Sequence, residues 1–151
     1  MRTLKDIDAS RVTVVAELPP NIAEIEKVFP GVGKRARWHG IYFCYGNTIY
    51  NPRGLPIDEQ LLAHEATHCA QQIAMGADEW WRKYLADPQF RFDQELEAHR
   101  VEFEAYRHYV NDSRPFRRRY LAAISERLSG PLYGRMVTKA EAKRAILEDR
   151  Q

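Results

Sequence analysis

The segment His64-Glu65-Ala66-Thr67-His68 sets two imidazoles four residues apart, with a carboxylate directly after the first. On a helix, residues i and i+4 share one face, so both rings reach a single metal ion. Glu65 points to the side of that face. There it takes a proton from an attacking water without itself being a ligand. Two imidazoles and one carboxylate suit zinc, one ion per chain, and leave a fourth position for water.

The third ligand must come from elsewhere. Phe92, Leu96, His99, Phe103, Tyr106 and Val110 recur in steps of four and three, which marks the inward face of a helix. At about 100° per residue, Glu95 falls roughly 60° from the centre of that seam. Glu102 falls about 80° away, Glu104 about 120° and Glu97 about 140°, the last two toward solvent. Glu95 is therefore the acid best placed to face the core, where it needs a partner such as a metal. His99, one turn on, is expected to hydrogen-bond a ligand from behind; direct ligation by His99 is the alternative.

These residues need elements to position them. Asp58 stands at the start of a helix that runs to about Ala74 and stops at Gly76. A short helix over Ala77 to Leu85 follows, with Trp80 and Trp81 packing on the core. Next come a long helix over Phe90 to Val110, a helix from Pro115 to Leu128, and a last helix over 139–148 opened by a Thr138/Glu141 capping box. Upstream, Val12 to Ala16 reads as a strand and Asn21 to Val28 as a helix. Gly40 to Tyr45 and Thr48 to Tyr50 flank Gly46-Asn47 as a hairpin. The expected fold is α+β: one domain over 1–151, with a small N-terminal antiparallel sheet in 1–56 packed on a helical body in 57–151.

Composition narrows the class. The 151 residues, 29% of them charged and 44% hydrophobic, suit one globular domain. No apolar stretch approaches the roughly 18 residues of a membrane span. Acids follow closely on Met1, where a secretion signal has its apolar stretch, so a cytoplasmic location is expected. A net charge of +2 is too balanced to argue for nucleic acid by itself, and a nucleic-acid-associated protein using the basic 114–135 surface is a third, less favoured reading. Six arginines between 114 and 135 are expected on the solvated side of a helix whose apolar face is Phe116, Tyr120, Ile124 and Leu128. Cys44 and Cys69 read as two reduced cysteines packed as small apolar residues.

The motif and the Glu95 segment together resemble the zincin metallopeptidases of the gluzincin type, whose third ligand is a glutamate. Glu95-Leu96-Glu97-Ala98-His99 is similar to the Glu-x-x-Ala-Asp signature of HtpX- and Ste24-type peptidases, with His99 where those families usually carry Asp. His-Glu-x-x-His-x-x-Gln-Gln, a Trp-rich helix and then Phe-Arg before Glu-x-Glu-Ala resemble small metallopeptidases of bacteria and their phages. The resemblance spans about residues 40–110. It implies zinc on His64, His68 and Glu95, Glu65 as general base, and a peptide or protein substrate. It also implies that 41–50 forms the upper rim of a cleft and offers an edge to an extended peptide. The oxyanion needs a further donor, for which Tyr106, His108, Tyr109 or an arginine are available. The short chain leaves little for a second cleft wall, so a protein partner completing it is expected. The competing reading is a non-catalytic binding or assembly protein on a zincin scaffold, such as a phage or bacterial morphogenesis factor. Intact Glu65 argues against it, because a structural site has no use for a base there.

Overall fold

The computed structural model describes residues 1–148; the last three residues of the expected domain lie outside them. The N-terminal part holds β1 (Thr13–Val15), α1 (Ile22–Val28), α2 (Val32–Trp38), β2 (Phe43–Tyr45) and β3 (Thr48–Tyr50). The helical body holds α3 (Glu59–Met75), α4 (Ala77–Ala86), α5 (Pro88–Ala105), α6 (Arg114–Leu128) and α7 (Lys139–Leu147). The α+β class holds, but the sheet is mixed. Its order is β1-β3-β2; β2 and β3 are the expected hairpin, while β1 lies parallel to β3, with Val14 opposite Ile49. A parallel pair needs a crossover of a dozen or more residues, and α1 and α2 supply it. Helix α2 was not anticipated, because Pro30, Gly31 and Gly33 crowd its start.

Helix α3 opens at Asp58, whose side chain makes no cap bond, and ends at Gly76 with φ of 101°. That angle suits glycine and lets the chain reverse at once into α4. Helix α5 begins on the Asp87 cap with Pro88 in its first turn, as a missing N–H there costs nothing. Its last expected turn is a wide π-turn over Tyr106–Val110, closed by the Asn111 N–H donating to the Tyr106 carbonyl at 3.0 Å. The turn leaves Tyr106 stacked on Tyr120, with ring centroids 3.9 Å apart, and exposes Val110. The Thr138/Glu141 capping box of α7 forms.

Two apolar clusters flank the centre of the molecule. Phe92, Leu96 and Phe103 of α5 pack on Leu121, Ile124 and Leu128 of α6 and on Ala142 and Ile146 of α7. Ile25, Val32, Ala36 and Phe43 pack on Trp80, Trp81 and Tyr84 of α4. Each large side chain so buried is worth about 1.5–3 kcal/mol. Phe116 does not join the α6 face as expected; it is exposed, and Leu121 and Ser125 take the inward positions. Ile73 of α3 is exposed as well.

The reading of the cysteines is corrected. Cys44 of β2 and Cys69 of α3 form a disulfide with Cα atoms 6.0 Å apart, since β2 packs directly on α3. The same packing narrows the expected peptide edge. The Cys44 carbonyl already accepts hydrogen bonds from Gln72 Nε2 (2.8 Å) and Trp81 Nε1 (2.9 Å). Just before β2 the Ile41 N–H is likewise taken, donating to the His39 carbonyl at 2.8 Å.

Candidate metal centre

Helices α3 and α5 lie against each other, and their shared face is polar. From Glu95 to Phe103 every residue of α5 is buried, and from Ala63 to Cys69 every residue of α3. Burying that many polar groups is costly unless each is partnered. The partners fix the chemistry.

His64 Nδ1–H donates to Glu102 Oε1 at 2.8 Å. A carboxylate only accepts, so the proton sits on Nδ1 and the Nε2 lone pair is free. His68 Nδ1–H donates to Gln71 Oε1 at 2.8 Å. The Gln71 amide orientation follows, because its Nε2 donates to the Gln94 carbonyl and to Glu97 Oε1, each at 3.0 Å. His68 therefore also presents a bare Nε2. His99 Nδ1–H donates to the same Glu102 oxygen at 3.0 Å. One buried carboxylate thus sets the tautomer of two rings. Tyr120 O–H donates to its other oxygen at 2.5 Å, and Arg127 stands 3.8 Å away.

The freed atoms converge. His64 Nε2 lies 3.2 Å from His68 Nε2 and 3.2 Å from Glu95 Oε2; His68 Nε2 lies 3.4 Å from Glu95 Oε1. With both rings neutral these are lone pairs facing lone pairs, an arrangement that calls for a cation, metal ion or proton, between them. Donors at about 2.0–2.1 Å from a tetrahedral zinc stand about 3.3 Å from one another, which is the spacing here. Glu95 Oε2 and His99 Nε2 are both buried without a hydrogen-bond partner. His64, His68 and Glu95 therefore fit a metal ion. Tyr84 O–H donates to Glu95 Oε1 at 2.6 Å and fixes the carboxylate.

Burial opposes a charge on either ligand ring, but Glu102 and Glu95 raise His64 well above the ordinary histidine value and Glu95 raises His68, so the centre draws positive charge. Burial lowers the His99 pKa below the ordinary histidine value, keeping that ring neutral, although Glu102 pulls the other way. Burial raises the Glu65 carboxyl, partly offset by His64 and His68, which moves it toward the range of a useful base. Burial opposes ionisation of Glu102 too. The His99 and His64 contacts outweigh it and hold that acid well below the carboxylate range.

A cavity of about 390 Å³ opens onto the centre, lined by His64, Glu65, Glu95, His99 and Glu102. The structure thus brings His64, His68 and Glu95 together and places Glu65 on the same cavity. His99 bonds Glu102 and lies 4.0 Å from Glu95 Oε2 through its free nitrogen. Two acids and the suggested oxyanion donors were misjudged from the sequence. Glu102 was set aside, yet it is fully buried. Glu97, expected in solvent, is buried and bonds Arg2 and Gln71. The suggested oxyanion donors Tyr106, His108 and Tyr109 do not line the cavity, whereas Tyr84, Tyr133 and Arg127 do. Glu102 had a signal: Glu95, His99 and Glu102 follow one another at i, i+4 and i+7, a single helical stripe. No protein-family model matches the chain, and comparison with curated proteins and with solved structures returns no match.

Proposed function

We propose that the chain is a zinc-dependent peptidase with a zincin-like, gluzincin-type site, in which His64, His68 and Glu95 hold the metal. The observation that carries this reading is the convergence of His64 Nε2, His68 Nε2 and the Glu95 carboxylate, one oxygen 3.2 Å from His64 and the other 3.4 Å from His68, each side chain held from behind by a second residue. Zinc bound there supplies Lewis-acid polarisation of a peptide carbonyl and of the attacking water. The chain does the rest. Glu65, buried on the same cavity with a raised pKa, accepts the proton of the water and delivers it to the leaving amine. Glu102 and Gln71 keep the ligand rings in the Nδ1–H tautomer, and Tyr84 fixes Glu95. Tyr133 and Arg127 face the cavity as donors for developing negative charge.

No described helix is long and apolar enough to cross a membrane. The Cys44–Cys69 disulfide weighs against the expected cytoplasmic location, since such bonds persist in oxidising compartments.

The test is Glu65→Gln in the zinc-loaded protein, assayed on a mixed peptide library. Peptide cleavage falls by about 10²–10⁴-fold while zinc content is unchanged. Equal cleavage by wild type and Glu65→Gln rejects the assignment. Zinc binding with no cleavage by wild type favours the binding or assembly reading.

A further inference from the structure

The two ligand rings are held by unlike partners. His64 is held by Glu102, a carboxylate that can only accept. His68 is held by Gln71, an amide with an acceptor on one side and a donor on the other. Turned over, Gln71 would donate to His68 Nδ1. The ring proton would then sit on Nε2, the atom that faces the metal position. The direction of one amide therefore decides whether His68 is a ligand.

Two acceptors set that direction. The Gln94 carbonyl and Glu97 Oε1 each take a hydrogen bond from Gln71 Nε2 at 3.0 Å. The carbonyl is fixed by its helix; Glu97 is a side chain that must itself be held. Arg2 holds it twice: its main-chain N–H donates to Oε2 at 2.9 Å and Nη1 donates to Oε1 at 2.8 Å. Arg2 also reaches the Ala70 carbonyl of α3 at 3.5 Å. The segment that carries Arg2 is firmly docked. The Thr3 N–H donates to Asp6 across a single turn at 2.8 Å, and the Leu4 N–H donates to Glu104 at 3.3 Å. Leu4 and Ile7 pack on Ala63 of α3 and on Val101 and Ala105 of α5. The segment thus spans the same helix pair that holds the centre.

We infer that Arg2 is a positioning residue of the metal centre: through Glu97 and Gln71, the docked N-terminal segment sets the tautomer of His68 and with it the affinity for the metal. The inference rests on the metal centre and not on peptidase activity. The coupling is reciprocal, because a segment that tightens metal binding when docked is itself held more tightly once metal is bound.

The experiment reads binding rather than turnover. Zinc affinity is measured by competition titration in wild type, Arg2→Ala, Gln71→Ala and the double variant, with Leu128→Ala as the control for lost stability alone. Arg2→Ala weakens zinc binding about fivefold and adds nothing in the Gln71→Ala background, while Leu128→Ala leaves the affinity unchanged. Trypsin supplies the reciprocal readout, since cleavage after Arg2 requires the segment to undock. Saturating zinc slows the release of Met1-Arg2 about fivefold in wild type and has no such effect in Gln71→Ala. Unchanged zinc affinity in Arg2→Ala, an equal loss in both backgrounds, or an equal loss in Leu128→Ala overturns the inference and leaves the metal centre standing. Release of Met1-Arg2 that ignores zinc in wild type, or slows equally in Gln71→Ala, overturns it too. Failure of wild type to bind zinc rejects the centre itself, and the relay with it.

Discussion

Helix α5 has two neighbours and treats them differently. Toward α6 and α7 it offers Phe92, Leu96 and Phe103, which meet Leu121, Ile124, Leu128 and Ile146. Toward α3 it offers Glu95, His99 and Glu102, which meet His64 and His68. The first interface stabilises the fold by removing apolar surface from water. The second buries polar groups whose desolvation works against folding, and leaves two buried atoms without partners. A fold under selection for stability alone would carry leucines at both faces. The contrast separates the face where stability is generated from the face where it is given up to hold polar groups together.

Mutations on the two faces should therefore separate cleanly. Leu128→Ala, on the apolar side, is expected to lower unfolding stability by about 2–5 kcal/mol in denaturant titrations while zinc stoichiometry holds. A concurrent loss of zinc would mean that the two faces are one cooperative unit. Glu102→Ala, on the polar side, frees the rings of His64 and His99 and is expected to weaken zinc binding by about 10–100-fold in a competition titration. Of the histidine rings Gln71→Ala loosens only His68, while also freeing Glu97 and the Gln94 carbonyl, and it should cost less in zinc affinity, about tenfold. Chelation should lower the melting temperature of wild type and of Leu128→Ala alike, but leave His64→Ala unmoved, because ligand stabilisation vanishes with the site. At the small end, Ile73→Ser on the exposed side of α3 should stay within about 0.5 kcal/mol of wild type and leave zinc untouched.

The same contrast explains what the sequence disclosed. His64 and His68 were legible because the i, i+4 relation is local to one helix. Glu95 was legible because the seam of Phe92, Leu96 and Phe103 gave α5 an inward direction. That seam, however, reports the face toward α6 and α7. Between Glu95 and Phe103 the helix is enclosed on all sides, so an angle from the seam no longer separates core from solvent. Glu97 and Glu102 were misplaced for that reason. The Cys44–Cys69 bond and the β1–β3 pairing were hidden by another: both join segments far apart in the chain, and no local pattern encodes which neighbour they meet. Helix α2 was obscured by its own glycines and Pro30.

The most direct test of the account is metal content. Protein purified without added metal is subjected to elemental analysis beside His64→Ala and Glu95→Ala. The account predicts about one zinc per wild-type chain and close to none in either variant. Wild type that holds no metal and takes up none on titration would contradict it, and would leave the converged lone pairs of His64, His68 and Glu95 to be shared by protons instead.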